Sequence, residues 1–232
     1  MPSTSRAPVR PAAAPTRSRS HWWTWLAIGE VVLATVAVLL DVLIPSLVLV
    51  LLAGVSLAVR RQPPATLGLR RSHARGLVAK MFAVAAGWSL VQLGLTMPVA
   101  TRLSGRQQDL SQFDDVQGDL LLLLVLVAVS WTLAAFVEEV AFRGFLLTRL
   151  REILGPSRIS LVLAVLLTSV LFGFMHSEQG PVGVLLVSLD AVVLSIVRIH
   201  YDTVWSSVLV HGFNNTLGFV AFFFIGPVYG LW

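Results

Sequence analysis

Apolar runs of about twenty residues recur along this chain of 232 residues. A helix that rises 1.5 Å per residue needs about twenty apolar residues to cross the ~30 Å hydrocarbon core of a bilayer. The runs lack the ten-residue alternation of membrane barrels, so we predict an all-α, polytopic membrane protein. We expect seven transmembrane helices, at about 22–40, 42–59, 77–100, 120–148, 159–175, 182–197 and 204–224. The fourth run is too long for one straight crossing, which predicts a tilt, a protruding end or a break near Ser130–Trp131.

Composition supports the membrane class and excludes several functions. Charged residues make up 12% of the chain, hydrophobic residues 56%, and the mean hydropathy is +0.82. Soluble domains are far more polar. The absence of cysteine excludes disulfides, thiolate catalysis and a cysteine metal cluster. The net charge of +5 comes from basic residues at the ends of apolar runs, without interleaved aromatics on one face, so we predict no nucleic-acid partner.

The distribution of basic residues predicts the orientation in the membrane. They concentrate in residues 1–20, in the 60–80 loop and around the Gly155–Pro156 turn, whereas the 101–119 loop is acidic. Loops rich in lysine and arginine stay in the cytoplasm. We therefore predict a multi-pass plasma-membrane protein with a cytoplasmic N-terminus, bound by lipid. Residues 1–20 are expected to be a disordered basic tail, and 226–232 a C-terminal tail on the outer side.

Three charged residues, Glu138, Glu139 and Arg143, lie inside the fourth apolar run. Each costs from about 2.5 kcal/mol upward in lipid, so each needs a partner or a function. Glu139 and Arg143 are i,i+4 neighbours, which predicts an ion pair. Glu138 lies about 100° round the helix and is left unpaired, which suits a general acid or base. Glu30, in the first run, has no local partner, and we interpret it as a neutral acid hydrogen-bonded to a neighbouring helix.

Two histidines also lie in apolar runs. Glu138 and His176 are nearly equidistant in sequence from the Gly155–Pro156 turn, so a helical hairpin places them at similar depth. His211 lies about 14 Å into its own helix, at a comparable depth. Asn215 follows one turn later on the same face. We predict that these side chains meet within the membrane, and we interpret Asp190 as structural or water-facing.

Two chemistries fit this set of residues. In one, Glu138 and His176 activate water while His211 and Asn215 stabilise an oxyanion, which is the equipment for amide hydrolysis. In the other, zinc is held by Glu138, His176 and His211, a two-histidine, one-carboxylate set, although the HExxH motif is absent. Residue chemistry leaves both open. Asn215 favours the metal-free version because its amide suits an oxyanion better than zinc.

Three motifs carry a resemblance to a known family. They are EExxxR at Glu138–Arg143, FxxxH at Phe172–His176 and HxxxN at His211–Asn215. In this order they resemble the CPBP (Abi) family of intramembrane proteases, which includes CAAX proteases such as type II CAAX prenyl endopeptidases and bacteriocin-processing enzymes. The resemblance covers about 120–220. It implies an endopeptidase whose catalytic groups lie within the membrane and open toward the cytoplasmic side.

The resemblance also implies roles and a division of the chain. It assigns water activation to Glu138 and His176 and the oxyanion to His211 and Asn215, with Glu139, Arg143 and Phe172 in support. Members are commonly labelled metalloproteases, which keeps zinc as the alternative. We therefore predict N-terminal transmembrane helices over 21–117 and a protease core, formed by the last four helices, over 118–225.

The expected substrate is a membrane-associated protein or peptide, with lipidation as one option. Neither the oligomeric state nor the identity of the substrate can be predicted. A non-catalytic membrane scaffold or bacteriocin-immunity factor of the same family is the alternative function. A small transporter that uses Glu30, Asp190 and Arg143 is disfavoured because the chain has no inverted repeat.

Overall fold

Long helices make up the fold. The computed structural model describes residues 21–72 and 74–232, and within them it contains helices and no strand. The predicted tail over 1–20 and His73 lie outside the described residues. The all-α class is confirmed. The helices are α1 His21–Leu39, α2 Pro45–Arg60, α3 Leu77–Ser104, α4 Leu120–Leu154, α5 Arg158–Phe174, α6 Gly180–Tyr201 and α7 Val204–Ile225.

Five of these helices, α1, α3, α4, α6 and α7, are long and apolar enough to cross a membrane, with α6 counted from the short turn that precedes it. The helices α2 and α5 are apolar but shorter, with 16 and 17 residues. A chain with this many apolar helices is a polytopic membrane protein. That all seven helices cross the bilayer stays a prediction.

The long helix α4 is continuous but changes its winding. At Ser130, where the length predicted a tilt, a break or a protruding end, the backbone becomes π-helical over Ser130–Glu138 and again over Val140–Leu146. A π-helix closes its hydrogen bonds over five residues instead of four and is frequent at functional sites. Its wider turns change the direction of the side chains that follow. Glu138, Glu139 and Arg143 lie in this irregular stretch, whereas Arg149, Arg151 and Glu152 lie in the regular α-helical turns that end α4.

A buried ion-pair cluster joins the middle of α1 to the C-terminal ends of α2 and α4. Arg60 donates to Glu152 at 2.9 Å and to Glu30 at 3.2 Å, and Arg149 Nε lies 2.9 Å from Glu30. The interpretation of Glu30 as a neutral acid is therefore wrong, because two guanidinium groups hold its carboxylate in an ionic pair. Neither arginine lies within a few residues of Glu30, so local sequence gave no sign of the pairing.

The connections between helices pack at two opposite ends of the bundle. At one end the Gly68 carbonyl accepts from Val204 N at 2.9 Å, which holds the α2–α3 connection against the start of α7. At the other end Asp109 N donates to the Gln179 carbonyl at 2.9 Å, which joins the α3–α4 and α5–α6 connections. Leu231 N donates to the Leu93 carbonyl there, so the C-terminal residues also pack against α3. We call these the α2–α3 end and the α3–α4 end.

Gly173 allows α5 and α6 to approach closely. We therefore predict that the methyl group added by an alanine at this position lowers the stability of the fold. A Cβ at this position would overlap the Ser188 side chain and the Val184 carbonyl. Gly173→Ala should therefore lower the free energy of unfolding by about 1–3 kcal/mol, as overpacking does. The measurement is thermal unfolding in detergent. Gly87→Ala in α3, where a Cβ meets no atom within 4 Å, is the matched control, and equal unfolding temperatures of the two variants would contradict the close approach.

Candidate active site

The structure brings Glu138 and Glu139 of α4 against His211 of α7. His211 Nδ1 lies 3.0 Å from Glu139 Oε1, and His211 Nε2 lies 4.0 Å from Glu138 Oε2. The two ring nitrogens thus face two different carboxylates. His211 and Glu139 are 8% and 0% exposed, so this contact lies inside the bundle.

The proton on His211 follows from the state of Glu139. Arg143 Nη1 lies 2.9 Å from Glu139 Oε1, and both side chains are buried, so the predicted ion pair is confirmed. An ionised carboxylate only accepts hydrogen bonds, so His211 Nδ1 carries a hydrogen and donates it. The ring therefore presents its Nε2 toward Glu138. In this way Arg143 and Glu139 together fix the orientation and tautomer of the imidazole.

Phe172 connects this ion pair to His176. The Arg143 guanidinium carbon lies 4.2 Å from the centroid of the Phe172 ring, a cation–π contact. Phe142 packs edge-on against the same ring, with 5.0 Å between centroids. The Phe172 carbonyl accepts from His176 Nδ1 at 3.1 Å, which leaves His176 Nε2 as the nitrogen without a hydrogen in the neutral ring. The FxxxH spacing thus places a packing side chain and a histidine on successive turns.

A cavity of about 470 Å³ lies beside these groups. His176, His211 and Asn215 line it, together with Ser130 and Asp190. Its volume is in the range of ligand-binding pockets. Glu138 Oε2 is buried and has no hydrogen-bond partner among the described residues. The site therefore combines an unsatisfied carboxylate oxygen, two imidazoles and an amide.

Asn215 is oriented by a residue that sequence reasoning missed. Its Nδ2 donates to Ser130 Oγ at 3.0 Å, across from α7 to the first π turn of α4. Ser130 is buried. In the sequence it stands out only as a hydroxyl residue in an apolar run, next to the position where a break in the helix was predicted. The neighbouring Trp131 covers Gly212 and donates to Thr216 Oγ1 at 3.1 Å.

Asp190 lies on the cavity wall and is held from α3. Trp88 Nε1 donates to Asp190 Oδ1 at 2.6 Å, and both side chains line the cavity. The hydrogen bond fits the structural interpretation of Asp190, and its position on the wall brings it into the same cavity as His211. Trp88 is a second residue that sequence reasoning missed, because its partner is 102 residues away.

The site residues do not have the arrangement that zinc requires. Among the described residues, no group of three histidine, cysteine, aspartate or glutamate side chains is arranged to hold a metal ion. Zinc ligands lie about 2.0–2.2 Å from the ion, which puts neighbouring ligands of a tetrahedron about 3.3–3.5 Å apart. Glu138 Oε2 and His211 Nε2 are 4.0 Å apart. The side chains as placed do not fit zinc, and no reaction step below passes through a metal.

The fold and the site define a class, a polytopic helical membrane protein with a carboxylate–imidazole–amide site in its interior. Residues 120–217 match the family described as type II CAAX prenyl endopeptidase Rce1-like. This segment begins with α4, ends within α7 and includes all three motifs. It is a CAAX-protease-like segment, as the motifs predict. No curated protein and no solved structure gives a significant match.

Proposed function

We propose that this protein is an intramembrane endopeptidase that hydrolyses a peptide bond of a membrane-associated protein or peptide. One observation carries the proposal: His211, which lies on the wall of a cavity inside the bundle, is held by Glu139 and faces Glu138. Similarity of the segment over 120–217 to CAAX endopeptidases supports the same reaction class. The chain needs no serine or cysteine nucleophile for this chemistry, since water attacks directly.

Water activation is assigned to Glu138 and His176. The buried Glu138 Oε2 has no hydrogen-bond partner among the described residues and is free to accept a proton from water. His176 is held through its Nδ1 by the Phe172 carbonyl, so its Nε2 accepts the second hydrogen bond of the same water. The hydroxide equivalent attacks the scissile carbonyl carbon. The protonated Glu138 then passes its proton to the leaving amine, which restores the carboxylate.

Stabilisation of the tetrahedral oxyanion is assigned to His211 and Asn215. Glu139 holds His211 through Nδ1, and the scheme uses the imidazolium form of this ring, whose Nε2–H donates to the oxyanion. Asn215 uses one Nδ2 hydrogen on Ser130 and keeps the other for the same oxygen. Donors that are fixed before the reaction need no reorganisation when charge develops.

The metal-free scheme makes a prediction about metal content. Protein purified without chelators should contain far less than one zinc per chain, and excess chelator should leave the cleavage rate unchanged, because the scheme uses only side chains and water. Elemental analysis and a chelator titration measure the two quantities. One zinc per chain that is lost in Glu138→Gln, together with chelator-sensitive cleavage, would support the zinc alternative instead.

Complementation separates the protease from the non-catalytic alternative. In cells that lack the protein, His176→Ala should fail to restore the wild-type phenotype although it accumulates in the membrane, because a water-activating group is gone. His200→Ala, which changes an exposed histidine at the end of α6, is the matched control and should restore the phenotype. If His176→Ala restores the phenotype fully, the protein acts as a membrane scaffold or immunity factor.

A further inference from the structure

We infer, resting on the proposed function, that Asp190 determines the specificity of the protease: its carboxylate binds the side chain of a lysine or arginine close to the scissile bond of the substrate. Asp190 lies in the middle of α6, and its side chain lines the same cavity as His176 and His211. Three features of the structure support this role: the lack of a cationic partner for Asp190 among the described residues, its position in the cavity and the groups around it.

The carboxylates inside the bundle differ in their partners. Glu139 pairs with Arg143, and Glu30 pairs with two arginines, one from α2 and one from α4. In the described part of the chain, Asp190 forms no ion pair with a lysine, arginine or histidine. An ionisable side chain inside a membrane bundle is costly without a partner and marks a functional position. The acids that hold the helices together are thus paired within the chain, whereas Asp190 is left for a cation from outside it.

The face of α6 that carries Asp190 is turned to the cavity. Val187, Asp190 and Leu194 recur at the spacing of successive helical turns, and all three line the cavity. The two histidines of the candidate active site line it as well. Because the cavity holds only about 470 Å³, the acid lies close to any peptide bond placed against these histidines. A side chain next to that bond can therefore reach Asp190.

The surroundings of the carboxylate suit a cation. Trp88 Nε1 donates to Asp190 Oδ1 at 2.6 Å, and the Gln92 side chain lies beside the same carboxylate. A carboxylate accepts about four hydrogen bonds, so these two neighbours leave room for a donor from the substrate. Among the described residues that line the cavity there is no lysine or arginine, so no basic group of the chain competes for this acid. The ammonium of lysine and the guanidinium of arginine supply both the charge and the donors.

The sequences around the cleaved bonds test the preference. Membranes from cells that lack the protein are incubated with purified wild type, and the new amino termini are identified by mass spectrometry. Lysine or arginine should be enriched at one fixed position near the cleaved bond, relative to the same membrane proteins at large. New termini without such enrichment would overturn the inference and leave the protease reaction standing. Absence of any new terminus would overturn the proposed function, and this inference with it.

A matched pair of synthetic peptides tests the role of Asp190 itself. One peptide spans a cleaved site with lysine as its basic residue, and the other has norleucine there, which keeps the aliphatic chain and lacks the ammonium group. Wild type should cleave the lysine peptide with a kcat/KM about 10–100-fold higher, the range for a hydrogen bond to a charged group. In Asp190→Asn this ratio should fall to nearly one, because the amide accepts from Trp88 but carries no charge.

Two further variants separate specificity from stability. Trp88→Phe removes the hydrogen bond and keeps the carboxylate, so its ratio should stay well above that of Asp190→Asn, and equal ratios would overturn the role of the charge. Asp41→Asn makes the same chemical change at an exposed position between α1 and α2 and should keep the wild-type ratio. A purely structural Asp190 would lower the rates with both peptides by the same factor in Asp190→Asn. The ratio would then stay at its wild-type value, which would overturn the inference.

Discussion

Replacement of Glu138 by glutamine should lower the rate of peptide-bond hydrolysis about 10²–10⁴-fold, the usual contribution of a general base. Glutamine has nearly the same shape, so the bundle should remain folded, but its amide takes no proton from water. The side chain is 14% exposed and one of its carboxylate oxygens has no hydrogen-bond partner among the described residues. The loss should therefore appear in the rate of product formation and leave the unfolding temperature nearly unchanged.

Asp115→Asn is the matched control for Glu138→Gln. It makes the same chemical change, carboxylate to amide, at an exposed position of the α3–α4 connection. Equal amounts of folded wild type and both variants should be compared for cleavage in membranes. A Glu138→Gln rate within a few-fold of the Asp115→Asn rate would contradict the assignment of Glu138 as the base.

Arg143→Met should lower the free energy of unfolding by about 3–5 kcal/mol, the effect of breaking a buried ion pair from one side. Arg143 and Glu139 are 1% and 0% exposed, so the variant leaves the carboxylate in the interior without its cation. His211 remains as its hydrogen-bond partner, and its orientation would be less well fixed. Thermal unfolding in detergent measures the change in stability.

Two further variants show whether the effect of Arg143→Met comes from loss of the Glu139–Arg143 ion pair. Arg151→Met changes an exposed arginine on the same helix and should shift stability by less than about 0.5 kcal/mol. The double variant Glu139→Gln/Arg143→Met removes both charges and should recover much of the lost stability. It should still cleave poorly because His211 loses the carboxylate that holds its ring through Nδ1. If Arg143→Met is as stable as Arg151→Met, the pair does not support the fold.

Features with a local signature could be predicted from the sequence. Run length and composition predicted the all-α class and the approximate positions of the helices. The spacing of Glu139 and Arg143 predicted their ion pair, because i,i+4 residues are neighbours on any helix. Counting residues along the helices predicted that Glu138 and His211 lie at similar depth, because the rise per residue is nearly constant. In the structure Glu138 Oε2 lies 4.0 Å from His211 Nε2.

Features that depend on helix rotation and packing could not be predicted. The Glu139–His211 hydrogen bond joins residues 72 apart, and Asn215 and Ser130 are 85 apart. Neither spacing indicates which faces of α4 and α7 meet. The π turns of α4 change that rotation further, and no propensity in an apolar run signals them. The pairing of Glu30 with Arg60 and Arg149 was missed for the same reason.

The central claim is that the site with Glu138 hydrolyses peptide bonds of membrane-associated proteins. Its most direct test adds purified wild type or Glu138→Gln protein to membranes from cells that lack the protein, followed by labelling and mass spectrometry of newly formed amino termini. The account predicts at least one membrane protein with a new terminus that appears with wild type and is absent or strongly reduced with Glu138→Gln. Identical sets of termini in the two samples would contradict the account.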